Sequence, residues 1–471
     1  MYEINGWEVV IGIETHMEVL SQSKLFSGAS ADYKPGTRPN SQVSFFDAAL
    51  PGTLPTPNWF CVQQAIRMGL GINAKINNES IFARKLYFYP DNPSGYQISQ
   101  TIPLVGEGYL DIHDDHGNMK RVGIQQIHIE QDAGKLLHDK NPIKSFVDLN
   151  RLGVELMEIV SKPDIRSPAE AANYLRELQA IARTVGASNG NMEEGSMRAD
   201  INVSVRKIGS SSFGTRCEIK NMTSFKFIQA AIEYEARRQI KAYESGEEVI
   251  QETRRYSSAT GETSSLRPKE SAPLFPDPDL LPLIVTDEQI QAIRASLPEL
   301  PSARKARFIK EYGLRESDSA LLIEKPEISN WFEEAVAGKS SRTKPVANWM
   351  ISELFAHPDH NIKPADLGEL VDMIADNTIN GKIAKDVFAR MLAGEGTPLE
   401  IVEKHNLKQT TDMGAIEAII DEVIAANPDQ VAQYKAGKTG VIGWLVGQVM
   451  KQSGGRTNPG IVNQTMAKKL A

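Results

Sequence analysis

The sequence predicts an α+β protein: an antiparallel-sheet part over residues 1–290, an all-helical part over 291–405, and an all-helical tail over 406–471. Three observations carry this reading. Before about residue 290, short β-rich runs alternate with turn clusters such as PDNPSG (90–95) and HDDHGN (113–118). Four of those runs alternate polar and apolar side chains with period two, as half-covered strands do. Beyond residue 290 the apolar positions follow helical spacing with short turns, and the texture changes again around HNLKQTTD (405–412).

The elements follow in order. VVIGIETHMEVL (9–20) places Ile11, Ile13, Met17 and Val19 on one face and Glu14, His16 and Glu18 on the other. GIQQIHIEQD (123–132) does the same with Gln126, His128, Glu130 and Asp132 against Ile127 and Ile129. In VELMEIVS (154–161), Glu158 is the lone charge among Val154, Leu156 and Val160. A helix opens at Ser167-Pro168-Ala169-Glu170, a capping box with proline at the first helical position, and stops near Gly186. MRADINVSV (197–205) alternates Arg198, Asp200, Asn202 and Ser204 with apolar residues, and CEIKN (217–221) adds Glu218 and Lys220. A second helix covers about Phe225 to Tyr243, ending close to Gly246, and SAPLFPDPDLLP (271–282) reads as a connector.

Composition narrows the function classes. With 41% hydrophobic and 24% charged residues the chain has the make-up of a globular protein. It contains no apolar run long enough for a membrane span, and MYEINGWEVV has the pattern of neither a signal nor a transit peptide. Cys61 and Cys217, its two cysteines, are too few for a disulfide framework and suit a reducing cytoplasm. The net charge of −8 argues against non-specific coating of nucleic acid. Yet from residue 435 onward the chain carries Lys435, Lys438, Lys451, Arg456, Lys468 and Lys469 and no acidic residue. That is the charge pattern either of a local polyanion contact or of a plain solvated helix face.

Each polar strand face alone fits a wetted antiparallel sheet. Taken together they fit something else. The side chains are Glu, His, Asp, Asn and Arg, and Glu158 sits in a run where an unpaired carboxylate is costly to bury. Carboxylates converging on one face repel unless a cation lies between them, and magnesium with a nucleotide meets that need. Arg198 would then hold phosphate oxygens. Other nucleotide signatures fail on context. GLGINA (69–74) follows a helical run, where a dinucleotide fingerprint must follow a strand, and GKTG (437–440) lacks the first glycine and the strand of a phosphate loop.

The motifs resemble one family along nearly the whole chain, the B subunits of aspartyl/glutamyl-tRNA amidotransferases. The resemblance runs through IGIETHMEVLSQSKLFS (11–27), YFYPDNPSGYQISQ (87–100), HIEQDAGK (128–135), DLNRLGVELMEIVSKPDIRSP (148–168), MEEGSMRADINVSVR (192–206), EIKNMTSFKFIQAAIEYEARRQ (218–239), QETRRY (251–256), ANWMISEL (347–354) and WLVGQVMKQSGGRTNP (444–459). It implies a catalytic domain similar to glutamine synthetase, then a helical domain and a tRNA-binding helical tail. It also implies a bacterial cytoplasmic enzyme that uses ATP and Mg2+ to phosphorylate the side-chain carboxylate of Glu on tRNA-Gln, or Asp on tRNA-Asn. Ammonia from a glutaminase A subunit would displace the phosphate, with a small C subunit completing a heterotrimer. By the same resemblance Glu14, His16, Glu130 and Glu158 match metal-binding, catalytic positions. Glu18, Arg198, Asp200, Asn202, Glu218 and Lys220 match motifs around the pocket, Arg198 and Asp200 among the catalytic set and Arg198, Asn202, Glu218 and Lys220 among the nucleotide-binding one. The six basic residues of the tail would contact tRNA.

Departures from the family pattern are local. Residues 28–52 have no cysteine where some relatives carry a four-cysteine zinc site, so no zinc is expected. Leu86 stands where Asn is common, and Gln131 where some relatives have a second Glu. The chemistry agrees with the family: a carboxylate needs a better leaving group before ammonia can displace it, and the chain offers no convincing glutaminase nucleophile. Cys217, in a strand-like run, reads as packed. The competing reading is a tRNA-binding scaffold with structural carboxylates. A third, a small-molecule carboxylate ligase, is disfavoured by the basic tail and the long helical extension.

Overall fold

The strand Trp7–Glu18 lies in the middle of a nine-stranded sheet. The sheet order is Glu262–Pro268, Glu252–Ser257, Cys217–Met222, Met197–Lys207, Trp7–Glu18, Glu155–Ser161, Met119–Gln131, Gly108–His113, and Glu3–Ile4 pairs with the central strand. All pairings are antiparallel except that of Cys217–Met222 with Glu252–Ser257. This is the mixed α+β architecture the alternation predicts. The computed structural model describes residues 2–470 apart from Pro35, Asp139, Lys140, residues 269–272, Thr410 and Thr411.

The chain divides into two compact units, Met1–Pro301 and Ser302–Ala471. In the first, one face of the sheet supplies Ile13, Met17, Ile129, Met157 and Ile201 to a core shared with the helices Trp59–Gly71, Pro168–Thr184 and Phe225–Ser245. Residues such as Leu175 and Leu178 are fully buried there, and truncating either to alanine costs about 2–5 kcal/mol. The helix Asp287–Ala295 buries Ile290 and Ile293 in this same core, which carries the first unit past residue 290.

Two local expectations change. At the start of Pro168–Thr184, Ser167 Oγ accepts from Glu170 N at 3.0 Å, but Glu170 Oε2 accepts from Arg166 N at 2.7 Å instead of the cap residue's own N–H. It also takes Lys120 Nζ at 2.6 Å, so half of the box has become a tie between the helix and the sheet. The proline-rich 271–282 segment is not simply a connector. Ser271 and Ala272 lie outside the described residues, but Leu274–Pro276 adds to the edge of a second, four-stranded sheet alongside Glu79–Leu86. A prolyl residue is tolerated on an edge because the missing N–H faces away from the ladder. The segment is further held by Asp277 and Asp279, which accept from Arg84 at 2.9 and 2.6 Å.

The second unit is helical and holds two apolar clusters. One gathers Phe308, Phe332, Leu367, Val387 and Val402 from helices between Pro301–Tyr312 and Pro398–Lys404. The other gathers Ile416, Ile420, Leu445, Val449, Val462 and Met466 from the helices between Met413–Ala426 and Pro459–Leu470. The change of texture at 405–412 falls between them, with Thr410 and Thr411 outside the described residues. Among the described residues no helix is long and apolar enough to cross a membrane.

Candidate functional site

Strand register, which sequence alone leaves open, brings the polar residues into opposing pairs. His16 lies opposite Glu158 on one side and Arg198 on the other, Glu158 opposite His128, Glu14 opposite Asp200, and Asn202 opposite Glu218. All lie on the sheet face away from the apolar core.

Two carboxylate clusters result. In the first, His16 Nε2 is 3.6 Å from both Glu130 Oε1 and Glu158 Oε2, and His128 Nδ1 is 3.8 Å from Glu158 Oε1. In the second, ligand atoms of Glu14, Asp200 and Glu218 come within 4.8 Å of one another. The four residues expected at metal-binding positions fall in two clusters, with Glu14 joining Asp200 and Glu218 because its cross-strand partner is Asp200. Lys220 reaches into this second cluster, its Nζ 2.5 Å from Asp200 Oδ2 and 3.4 Å from Glu218 Oε1. A bulge makes this possible: between Ile219 and Met222 the register with the Met197–Lys207 strand shifts, and Asn221 takes φ +55°. The bulge also turns Asn221 N toward Asp200 Oδ1, at 2.8 Å. Thr253 Oγ1 donates to Glu218 at 3.2 Å, and Asn202 Nδ2 approaches Glu14 at 3.4 Å.

The clusters differ in charge. A lysine is ion-paired within the second, whereas the first is faced by imidazole and, less closely, by Lys85 of the cleft lining, which favours the ionised form of Glu130. Burial disfavours the charged forms of Glu130 and Glu158 alike. Glu130, deep and beside Glu158, is pushed well up, while His16 and His128 draw Glu158 down. His16 is pulled down by burial, but Glu158, Glu130 and Asp200 outweigh this and leave it raised. Buried atoms of this cluster, His16 Nδ1 and Glu130 Oε2, have no partner. An imidazole and two carboxylates facing one another with spare donor atoms fit a divalent cation.

The first cluster opens on a small cleft of about 190 Å3, lined by His16, Glu130, Gln131, Asp132, Arg198 and, from the four-stranded sheet and the turn after it, Lys85, Tyr87, Asn92 and Gln97. That volume is below the usual range for a whole cofactor, so it suits a reacting carboxylate and phosphoryl group better than an enclosed nucleotide. Arg198 is present as expected, but paired with Asp132 at 3.1 Å. Glu18 belongs to neither cluster; it accepts a hydrogen bond from Tyr33, and burial raises its pKa. Lys85, Gln97 and Tyr33 carry no periodic signal that separates them from ordinary loop and edge residues. Asp132 shares a face with Glu130 in the sequence, a signal that could have singled it out. Cys217 is buried and its thiol is pushed up to about 11 by burial, as a packed residue.

The six tail cations Lys435, Lys438, Lys451, Arg456, Lys468 and Lys469 are all exposed. They lie at or beyond the ends of the helices Pro428–Lys435, Val441–Gln452 and Pro459–Leu470. Lys469 Nζ is 2.6 Å from Asp421.

Comparison with known proteins gives matches along most of the chain. A family model described as "GatB/GatE catalytic domain" matches residues 9–291, and one described as "GatB domain" matches residues 330–470. A relative from Paramagnetospirillum magneticum is 52% identical over 480 residues, covering 99% of this chain and 98% of its own. One from Ruegeria pomeroyi is 54% identical over 488 residues, covering 99% and 96%, and one from Zymomonas mobilis 52% over 482 residues, covering 99% and 98%. All three are named as the B subunit of an aspartyl/glutamyl-tRNA(Asn/Gln) amidotransferase.

Proposed function

The chain belongs to the GatB family of tRNA-dependent amidotransferase subunits, and we propose that its first unit is a glutamine-synthetase-like cradle that activates a tRNA-borne carboxylate with ATP. The observation that carries this is the His16–Glu130–Glu158 cluster, whose His16 and Glu130 share one cleft with Arg198.

In the proposed reaction a side-chain carboxylate oxygen of Glu on tRNA-Gln, or of Asp on tRNA-Asn, attacks the γ-phosphorus of ATP. ADP leaves and an acyl phosphate forms. Ammonia then attacks the carbonyl carbon, inorganic phosphate departs, and the nitrogen loses a proton to give the amide. His16, Glu130 and Glu158 would hold Mg2+, which when bound neutralises phosphate charge. Arg198 offsets charge on the moving phosphoryl group. Lys220, held among Glu14, Asp200 and Glu218, keeps three carboxylates close on the sheet surface beside Asn202, a polar wall for the nucleotide.

Ammonia is supplied by a glutaminase subunit, with a small third subunit completing a heterotrimer in the bacterial cytoplasm, and the exposed cations of the tail hold the tRNA. A scaffold that only bound tRNA would have no use for two carboxylates buried against one imidazole, an arrangement that costs stability. Two measurements test the reading. Tagged chain should co-purify with a glutaminase and a small subunit, and the complex should release ADP from ATP only when mischarged tRNA is present. ADP release indifferent to the aminoacyl-tRNA would contradict it.

A further inference from the structure

Asp132 is 4% exposed and stands in the cleft wall between two arginines. Arg198 donates to its Oδ1 through Nη2 at 3.1 Å and to its Oδ2 through Nη1 at 3.4 Å, and Arg151 Nε lies 3.4 Å from the same Oδ2. Arg151 is itself fixed, donating to Ala133 O at 2.9 Å and Gly134 O at 2.8 Å. The Asp132 backbone is tied down as well: its N–H donates to Val154 O at 2.8 Å and its carbonyl accepts from Gly153 N at 2.9 Å. There is no slack at Gly134, where a Cβ would meet Asp148 O and Asp91 O at 2.9 Å. A carboxylate immobilised at both backbone and side chain is thus aimed at one guanidinium, on a neighbouring part of the sheet face, that shares the cleft with His16 and Glu130.

We infer that Asp132 is a positioning residue for the phosphoryl-transfer step: it fixes the guanidinium of Arg198 at the cleft wall, with Arg151 holding the loop that carries it. This rests on the role given to Arg198 in the proposed function. An arginine grips a phosphate best when its planar fork is already oriented, and a free one must surrender its rotamer freedom on binding. The Asp132 tether orders Arg198 when the chain folds. Two edges of the fork are taken by Asp132, which leaves its remaining N–H groups for an anionic group in the cleft.

The test is a double-mutant cycle in the assembled complex, with mischarged tRNA, ATP and ammonium chloride as nitrogen donor, read as kcat/KM for ATP. Arg198→Ala is expected to lose about a hundredfold and Asp132→Asn about tenfold. In the Arg198→Ala background, Asp132→Asn is expected to change the rate by less than about twofold, since its effect passes through the missing guanidinium. A purely structural Asp132 would lower the active fraction by the same factor in both backgrounds, and that additive result overturns the inference. So does a wild-type rate for Asp132→Asn alone while Arg198→Ala is impaired. A wild-type rate for Arg198→Ala instead overturns the reading of the site on which the inference rests. If Asp132→Asn does not assemble, Asp132→Glu, which keeps the charge and displaces it by one methylene, is put through the same cycle with the same expectations.

Discussion

Asp200 stands directly opposite Glu14 on adjacent antiparallel strands, so two carboxylates occupy one cross-strand pair. Like charges in that position destabilise a sheet. The molecule tolerates them because the bulge at Lys220–Asn221 delivers an ammonium and a backbone N–H to Asp200.

Lys220 is accordingly the counter-charge of the second cluster. Burial lowers its pKa, but Asp200, Glu218 and Glu14 outweigh that and hold it above the ordinary lysine value. Lys220→Met is expected to destabilise the chain by about 3 kcal/mol, because it leaves buried carboxylates without a cation. Adding Glu14→Gln should recover part of that loss. Urea unfolding of the single and double variants checks this, and equal midpoints for Lys220→Met and wild type would contradict it.

Glu155 yields a pH dependence. It sits on the core face of its strand, 2% exposed, and burial pushes it up to about 8, against a smaller opposing pull from the Cys61 thiol. The unfolded chain releases this proton from about pH 4.5, while the folded chain keeps it until about pH 8. Stability contributed by the protonated form is therefore whole below pH 4.5 and is lost as pH rises toward 8. Glu155→Gln should gain on wild type by about 2–5 kcal/mol between pH 5 and pH 8. A gap between the two urea midpoints that is the same at both pH values would contradict this.

For the tail, removing residues from 406 onward should weaken tRNA binding and flatten its salt dependence. Every phosphate that the shortened chain no longer neutralises reduces the log–log slope by about one. Charge reversal at Lys435 and Lys438 should lower affinity more than reversal at Lys469, which Asp421 already engages. Filter binding across a salt series measures both, and an unchanged slope after truncation would contradict the assignment.

Much of this was legible in the chain. Period-two alternation placed Glu14, His16, Glu130, Arg198, Asp200 and Asn202 on polar strand faces, and the isolation of Glu158 among apolar residues marked it as a member of a site. What alternation cannot supply is register. It says which face a residue occupies but not which residue lies across from it, so the division of Glu14 from His16 was hidden. Asp132 was visible on the face of Glu130, but its arginine partners come from a distant strand and from a turn with no pattern. Leu274–Pro276 read as a connector because an edge strand with prolines has the composition of a loop. Glu155 is the opposite case: an acidic residue on the apolar side of a strand, where the same alternation predicts an aliphatic one.

If the His16–Glu130–Glu158 cluster serves catalysis and not the architecture of a tRNA scaffold, disabling one of its carboxylates must slow amidation without loosening tRNA. Glu130→Gln keeps the shape of the side chain and removes its capacity to ionise onto a bound cation, so the rate of amidated tRNA formation by the assembled complex carrying that variant is measured alongside its tRNA affinity. Amidation by the variant complex is expected to fall at least about a hundredfold below wild type with tRNA affinity unchanged. Amidation at the wild-type rate with unchanged affinity would contradict it.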